Sequence, residues 1–489
     1  MHRLERLGWV LFQACLFVLA IATLVYVGYS FRHRYGTAAE ASLTYEALRV
    51  AKGWALYIDP VKGAWEAGPP PSRYTVLYTP LWSWGLGHLA APNLQNVKDV
   101  GRALSILAWL VSHVVPVWVA KKGKRAAPAI ASLLGATVIF LSRNAPAAAP
   151  DMLAAALVAL GLARAAKKDR VDEISAMFFT AAPFVKPSCL GLFAGAFLVC
   201  IVRRPPSGTS QGHKLGYLRT LIAGLATFGV LAGTCHFISD GKWISDMVFS
   251  TGQPISFSRW LVEFGNRSFV LGLPHAVVAF VAWRKKVSWV VLAPLLTSIT
   301  WSTFSMAKLG SGTQYWHEPT IAAIVAIAVM ANEGVSFAKL YAPLRIATLA
   351  FAILIVAITV PETFEQFRSY AYYDGLLARL EEHCHRLPGE VIVASNVVIE
   401  LDLNGRFFVS EWQTSFLVRH GRLPIEPWRS DLRLPNVRWV VVEYDPEHPP
   451  ANPLDQGRIG IYGDELRGVL RENFVFDQQA DGLFIYRHR

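Results

Sequence analysis

The chain has 489 residues, of which 53% are hydrophobic and only 17% are charged. That much apolar surface exceeds what one aqueous core can bury, so the composition excludes an ordinary soluble protein and indicates a polytopic α-helical membrane protein. The formal charge of +12 would suit a nucleic-acid partner. The basic residues lie between apolar runs, however, as in proteins that orient themselves in a membrane, so we expect no nucleic-acid partner.

The first apolar run covers residues 8–30 and follows three basic residues, His2, Arg3 and Arg6. It is too long for the core of a signal peptide and lacks a small-residue cleavage site. We therefore predict a retained span with a cytoplasmic N-terminus. The next segment, residues 31–100, is predicted to be the first outer loop.

A helix start is visible in this loop. Thr37 and Glu40 have the spacing of a capping box, and apolar residues recur at helical spacing from Leu43 to Trp54. The pattern predicts a short amphipathic helix that lies flat on the membrane face, and residues 79–91 are predicted to be half embedded. The Glu40 carboxylate either caps this helix or acts as a general base on an acceptor hydroxyl.

Further apolar runs raise the expected number of spans to about eleven. They cover residues 101–120, 126–142, 150–166, 174–202, 217–238, 269–283, 288–306, 319–330 and 344–360. The run 174–202 is long enough for two short spans broken at Lys186 and Pro187. Threading the spans alternately places these basic clusters on one side, which the positive-inside rule makes cytoplasmic: 121–125, 167–170, 203–214 and 284–286.

The polar tail predicts a second domain. We expect residues 1–361 to form the transmembrane domain and residues 362–489 to form a small soluble α/β domain on the extracytoplasmic side. Within the tail, β-branched runs predict strands at residues 391–395 and 438–444, and residues 462–473 predict a helix. A hairpin is predicted over residues 474–486, with its turn at Asp481 and Gly482.

Ionisable side chains at the outer ends of spans are costly unless they serve a polar site. Asp151 opens a span and is either a favourable charge at a helix N-terminus or an acid/base group or metal ligand. Lys186 interrupts an apolar run, so it either snorkels to the interface or pairs with an anion. Arg143 and Lys308 are positive charges on the outer side, which favours a phosphate partner. Arg73 is expected to be solvated.

The loop KLGSGTQYWHEP, residues 308–319, combines glycines, aromatic residues, His317 and Glu318 directly before a span. Tyr315 and Trp316 belong either to an interfacial aromatic belt or to a site that stacks a sugar, and His317 is a candidate phosphate contact. We find no Walker loop, dinucleotide fingerprint or zinc motif, which disfavours a nucleotide-sugar donor. The spacing of the five cysteines supports neither a disulfide framework nor a zinc site.

The ordered set of these segments resembles the GT-C membrane glycosyltransferases that use polyprenyl-phosphate sugars, especially bacterial relatives of protein mannosyltransferases and aminoarabinose transferases. The resemblance spans nearly the whole chain. It is carried by AEASLTYEALRVAKGWALYIDP, RYTVLYTPLWSW, APDMLAAALVALGL, FVKPS, KLGSGTQYWHEP and a tail that runs from GEVIVASNVVIELDLNGRFFVSEW through VRWVVVEYDP to GLFIYRHR.

The resemblance implies inverting transfer of a sugar from a polyprenyl-phosphate donor to a lipid, glycan or protein acceptor at the outer face of the bacterial inner membrane. In the site that the resemblance implies, the catalytic residues are Glu40 and Asp151. The residues that bind the donor phosphate are Lys186, Lys308 and Arg143. The residues that bind the sugar or the acceptor are Tyr315, His317, Glu318 and Tyr78. No metal ligand is assigned, and a divalent cation is the one cofactor left open.

One position departs from the family pattern. The family usually has Asp followed by Glu in the first outer loop, with the Asp as the base, and this chain has Ala39 and Glu40 there. Either Glu40 has taken over, or Asp151 serves, or the activity is lost. The alternatives to an enzyme are a non-catalytic membrane protein that binds a glycolipid or a partner, and a glycolipid transporter or ligase.

Overall fold

A computed structural model describes residues 2–31, 33, 36–66, 68, 71–76, 78–141, 147–202, 211–251, 257–263, 269–307, 313–335, 342–408, 417–418, 420–448 and 466–489. These residues form many helices and a four-stranded sheet near the C-terminus. The contacts divide the chain into two compact units. Unit 1 comprises Met1–Arg32, Arg102–Phe237 and Gln253–Gln366, and unit 2 comprises His33–Gly101, Ile238–Gly252 and Phe367–Arg489.

The described α-helices are numbered in chain order. They are α1 His2–Ser30, α2 Ala38–Ala51, α3 Leu81–Leu89, α4 Leu94–Val117, α5 Ala126–Leu141, α6 Asp151–Lys168, α7 Glu173–Val185, α8 Gly191–Val202, α9 Gln211–Ile238, α10 Trp243–Thr251, α11 Phe257–Glu263, α12 Phe269–Arg284, α13 Trp289–Ser305, α14 His317–Asn332, α15 Ala342–His383, α16 Val397–Asn404, α17 Glu426–Leu432 and α18 Arg467–Asn473. A 3₁₀ turn, Thr313–Trp316, leads into α14.

The predicted spans each coincide with a helix, and the long run 174–202 is indeed broken into α7 and α8 around Lys186. Among the described residues, helices long and apolar enough to cross a membrane cover Val10–Ser30, Leu94–Val117, Gly216–Ile238 and Leu349–His383. The protein is therefore an integral membrane protein. The number of about eleven spans and their orientation stay predictions.

The core of unit 1 is built from α6, α7, α8, α12, α13 and α14. In α8 two glycines four residues apart, Gly191 and Gly195, face α13. A Cβ atom built on Gly195 would lie 2.5 Å from Cα of Pro294, and one built on Gly191 would lie 2.7 Å from Cα of Ser298. The absence of side chains at these two positions lets the helix backbones approach closely, as small residues do between membrane helices.

In unit 2 the helix α2 starts as predicted, because Thr37 is its N-cap and the Thr37 hydroxyl accepts a hydrogen bond from the backbone N–H of Glu40 (3.1 Å). The surroundings of α2 differ from the prediction, since every residue from Glu40 to Arg49 is buried. Tyr45 packs on Phe407 with ring centroids 4.6 Å apart, and Ser83 donates to Glu46 (2.6 Å). The helix is covered by protein along these ten residues, whereas a helix lying flat on a membrane would leave one face to lipid.

Arg49 shows how unit 2 encloses α2. Its side chain is fully buried, forms an ion pair with Glu66 and donates to the carbonyl of Ala55. The guanidinium also lies 5.4 Å from the ring centroid of Tyr74 and 5.8 Å from that of Trp54. Because a buried charge is tolerated only when it is paired and hydrogen-bonded, Arg49 fixes the segment after α2 against the helix.

Two further buried ion pairs join distant parts of the sequence within unit 2. Lys98 Nζ lies 2.5 Å from Asp402 Oδ1, and Arg73 pairs with Asp431. Arg73 is 5% exposed, so the expectation that it is solvated is wrong. Burial raises the pKa of Asp431 although Arg73 opposes the shift. The first outer loop and the tail are therefore tied together by charge pairs.

The sheet has the order β1-β2-β4-β3, with strands β1 Val391–Ala394, β2 Val437–Val442, β3 Phe474–Ala480 and β4 Leu483–His488. Strands β1 and β2 are parallel and the other pairs are antiparallel. The predicted strands and hairpin are confirmed. Asp481 and Gly482 both have positive φ (53° and 77°), as a two-residue hairpin turn of this type requires.

The compact units group residues 33–101 with residues 367–489. The sequence instead predicts a membrane domain over residues 1–361, including the outer loop 31–100, and a separate domain over residues 362–489. The functional division and the extracytoplasmic position of the tail remain predictions.

The close approach of α8 to α13 yields a test. We expect Gly195→Ala to destabilise the protein by about 1–3 kcal/mol, because the added methyl group overlaps the backbone of Pro294. The matched control is Gly229→Ala in α9, where a Cβ atom would have nothing within 4 Å. Thermal unfolding of the purified protein in detergent should show a lower Tm for Gly195→Ala only. Equal Tm values for the two variants would contradict the proposed packing.

Candidate active site

An ion pair between two predicted site residues lies in unit 1. Asp151 is the first residue of α6, where a carboxylate is favoured by the helix dipole. Lys186 follows the last residue of α7 in an extended conformation, and Pro187 after it cannot continue the helix. The Lys186 ammonium pairs with the Asp151 carboxylate, and the two side chains are only 7% and 8% exposed. Lys186 therefore pairs with an anion and does not snorkel to an interface.

The ring of Tyr315 adds a contact to this pair. The Lys186 Nζ atom lies 5.9 Å from the ring centroid of Tyr315, which is within the range of a cation–π interaction. Tyr315 lies in the 3₁₀ turn, and the hydroxyl of Ser302 in α13 donates to the Tyr315 carbonyl (2.5 Å). Trp316, the next residue, is 2% exposed, so it does not belong to an aromatic belt at the lipid interface.

Glu318 lies in the first turn of α14, and its carboxylate caps another helix. It accepts hydrogen bonds from the backbone N–H groups of Gly191 and Leu192 in the first turn of α8, and from the Cys189 thiol. A Cβ atom on Gly191 would lie 2.9 Å from Glu318 Oε2, so a glycine is needed for this approach. In the described part of the chain, Glu318 Oε1 has no hydrogen-bond partner and is thus a buried acceptor.

His317, beside Glu318, is also buried (4% exposed), and its Nε2 atom has no hydrogen-bond partner among the described residues. It interacts electrostatically with Lys186 and with His113 of α4. His113 is 5% exposed, and its Nδ1 atom likewise lacks a partner within the described ranges. Unit 1 therefore holds a buried polar cluster in which both imidazoles have a ring nitrogen available to a ligand.

The structure thus brings together five predicted residues, Asp151, Lys186, Tyr315, His317 and Glu318. Two others, Glu40 and Tyr78, belong to unit 2. Glu40 is 2% exposed, and its Cδ atom would lie 3.0 Å from a Cβ atom on Gly36, so the side chain folds back toward the start of α2. Tyr78 is half-buried. The remaining two predicted residues, Arg143 and Lys308, lie outside the described residues.

Sequence reasoning missed Cys189, Gly191 and His113. The glycine had one available signal, because Gly191 and Gly195 have the four-residue spacing typical of close helix contacts. Cys189 and His113 gave no signal, since neither belongs to a recognisable sequence motif. Among the described residues no group of three or more His, Cys, Asp or Glu side chains could hold a metal ion. The divalent cation left open above is untested.

The arrangement of these helices and of the sheet is similar to that of a solved structure. The chain is similar to ArnT from Cupriavidus metallidurans, whose crystal structure is bound to undecaprenyl phosphate. The two align with a TM-score of 0.55 over 98% of each chain, at 12% sequence identity. No family model and no curated protein matches the sequence.

The hydrogen bonds from the first turn of α8 to the Glu318 side chain of α14 yield a prediction. We expect Glu318→Leu to lower the stability by about 2–4 kcal/mol, because two buried N–H groups lose their acceptor. Glu318→Gln keeps an acceptor oxygen, so it should lower the stability less than Glu318→Leu does. Glu333→Leu at the other end of α14, where the side chain is exposed, is the control. Thermal unfolding in detergent measures all three. Similar losses in Glu318→Leu and Glu318→Gln would contradict the capping role.

Proposed function

We propose that the protein is a membrane glycosyltransferase that moves a sugar from a polyprenyl-phosphate donor to a lipid, glycan or protein acceptor at the outer face of the membrane. The observation that carries this proposal is the likeness over the whole chain to ArnT bound to undecaprenyl phosphate. The buried cation Lys186, in a unit made mainly of apolar helices, supports it, because such a cation is suited to the phosphate of a lipid.

Lys186 is the proposed ligand of the donor phosphate. An ammonium group has three donors, so Lys186 can keep Asp151 as a partner while it binds a phosphate oxygen. When the bond between the anomeric carbon and the phosphate oxygen breaks, negative charge grows on the phosphate. A cation fixed beside it stabilises the transition state more than the ground state. Arg143 and Lys308 are proposed as further phosphate ligands from their sequence positions alone.

The reaction needs a base for the acceptor. We propose that a carboxylate takes the proton of the acceptor hydroxyl, whose oxygen then attacks the anomeric carbon and inverts its configuration. Glu40 and Asp151 are the candidates. The ion pair with Lys186 occupies the Asp151 carboxylate, which supports a positioning role for Asp151 and leaves Glu40 as the preferred base.

The sugar-binding groups proposed are Tyr315, His317 and Glu318, with Tyr78 as a candidate from the first outer loop. Glu318 Oε1 and His317 Nε2 have no partner among the described residues, and leaving buried polar atoms unpaired is costly. Sugar hydroxyl groups would satisfy both atoms, since a hydroxyl both donates and accepts. These unsatisfied atoms support the assignment.

The donor-phosphate role of Lys186 can be tested with purified protein in liposomes and a panel of polyprenyl-phosphate sugars. We expect Lys186→Met to lower turnover about 100-fold, as for the loss of one group that stabilises developing charge. Lys285→Met, an exposed lysine of the same unit, should leave turnover unchanged. Because Lys186→Met leaves Asp151 unpaired, the double variant with Asp151→Asn controls for misfolding. A parental rate in Lys186→Met would rule out this role.

Measurements of kcat and KM can distinguish between the two candidate bases, Glu40 and Asp151. Glu40→Gln should lower kcat about 100-fold or more with little change in KM for the donor, as for the loss of a general base. Asp151→Asn should mainly raise KM for the donor, because Lys186 loses its positioning partner. The reverse pattern would assign the base to Asp151. A parent protein that binds the lipid phosphate without any turnover would favour the non-catalytic glycolipid-binding alternative, which Ala39 supports.

A further inference from the structure

A cleft of ≈ 760 Å³ lies in unit 2 between the end of α15 and the face of the sheet formed by β2, β3 and β4. Its floor is apolar, with Leu376 and Leu380 from the helix and Trp439 and Ile485 from the sheet, all buried. The volume is within the range of about 300–1,000 Å³ that is typical of small-molecule sites.

An ion pair and a hydrogen bond connect the walls of this cleft. Arg379 Nε lies 2.7 Å from Asp481 Oδ2 in the hairpin turn, and His383 Nε2 lies 2.7 Å from Asp477 Oδ2. The pairing of β3 with β4 is irregular between Phe476 and Gln478, so Asp477 is the bulged residue. Such bulges re-aim a side chain. These two contacts join the helix to the hairpin across the cleft.

Three lining side chains, Glu382, Gln478 and Arg487, form no hydrogen bond or ion pair with the rest of the described chain. The strand register explains why two of them face the cleft. Arg487 pairs with Trp439 across the strands and Gln478 pairs with Ile485, so Arg487 and Gln478 lie on the face that also presents the apolar floor. These three side chains are therefore available to a ligand.

The chemistry of the lining indicates the ligand class. The lining has equal numbers of guanidinium and carboxylate groups, Arg379, Arg438 and Arg487 against Glu382, Asp477 and Asp481. The three carboxylates would repel an anionic ligand, and the three guanidinium groups would repel a cationic ligand. A hydroxyl group can donate to Glu382, accept from Arg487 and do both with the Gln478 amide. An apolar floor suits the C–H face of a sugar ring.

We propose that this cleft binds a neutral saccharide, at a site separate from the Lys186 cluster. Only the identification of this saccharide as the glycan acceptor of the transfer depends on the proposed function. Saccharide binding itself does not, and it is measured without a donor and without turnover.

The test measures binding of soluble trisaccharides to the full-length protein in detergent. Saturation-transfer NMR detects the bound saccharide. The probes are mannotriose, maltotriose and chitotriose, with trigalacturonate as the anionic comparison. We expect at least one neutral probe to bind. Gln478→Ala and Glu382→Ala should each lower the affinity for that probe about threefold to tenfold, as for the loss of one hydrogen bond. Gln479→Ala is the matched control, because Gln479 is the next residue of β3 and is not part of the lining. The Lys186→Met variant should still bind the neutral probe, because the cleft is separate from the Lys186 cluster.

Four results would overturn the proposal: no neutral probe binds, trigalacturonate binds in preference, Gln479→Ala weakens binding as much as Gln478→Ala, or neither cleft variant has an effect. Glu382 is exposed on a helix, so Glu382→Ala gives a readout even if Gln478→Ala folds poorly. Loss of transfer with intact saccharide binding would count against the proposed function alone, and intact transfer with no saccharide binding would count against the cleft alone.

Discussion

The ion pair of Lys186 with Asp151 is the interaction on which the candidate site depends. Each charge would be very costly alone in an apolar helical unit, because an uncompensated buried charge destabilises a protein by about 3–5 kcal/mol. Together they are tolerated, and the pair fixes the ends of α6 and α7 to each other. A pair of this kind contributes little net stability compared with apolar residues of the same size, which agrees with the proposed role of Lys186 as a ligand of the donor phosphate.

The same region shows why an acidic side chain, Glu318, is buried. The first N–H groups of α8 have no partner within the helix, and its first residues, Gly191 and Leu192, are buried in unit 1. The Glu318 carboxylate provides a cap from α14, and Gly191 makes room for it. The other carboxyl oxygen, Oε1, has no hydrogen-bond partner in the part of the chain that the structure describes. Structural capping and ligand binding are thus compatible in one side chain, because a carboxylate can accept several hydrogen bonds.

The sequence was sufficient for features that are set by local pattern. Apolar runs located the helices, Lys186 and Pro187 marked the break between α7 and α8, and Asp481 and Gly482 located the hairpin turn. Features that depend on partners far along the chain could not be predicted. Arg73 was expected in solvent because nothing near it in sequence indicates Asp431, 358 residues away. The burial of α2 on every side and the contacts of Cys189 and His113 also arise only from tertiary packing.

Unit 2 uses charge differently from unit 1. Three of its buried cations, Arg49, Arg73 and Lys98, each pair with a carboxylate of the same unit, and two of these pairs join the first outer loop to the tail. Truncating one partner of such a pair leaves a buried charge, so a change in the tail is transmitted to the loop that carries Glu40 and Tyr78. The tail therefore supports the structure of the first outer loop. A role for the loop in catalysis would make the geometry of the tail part of the catalytic requirement.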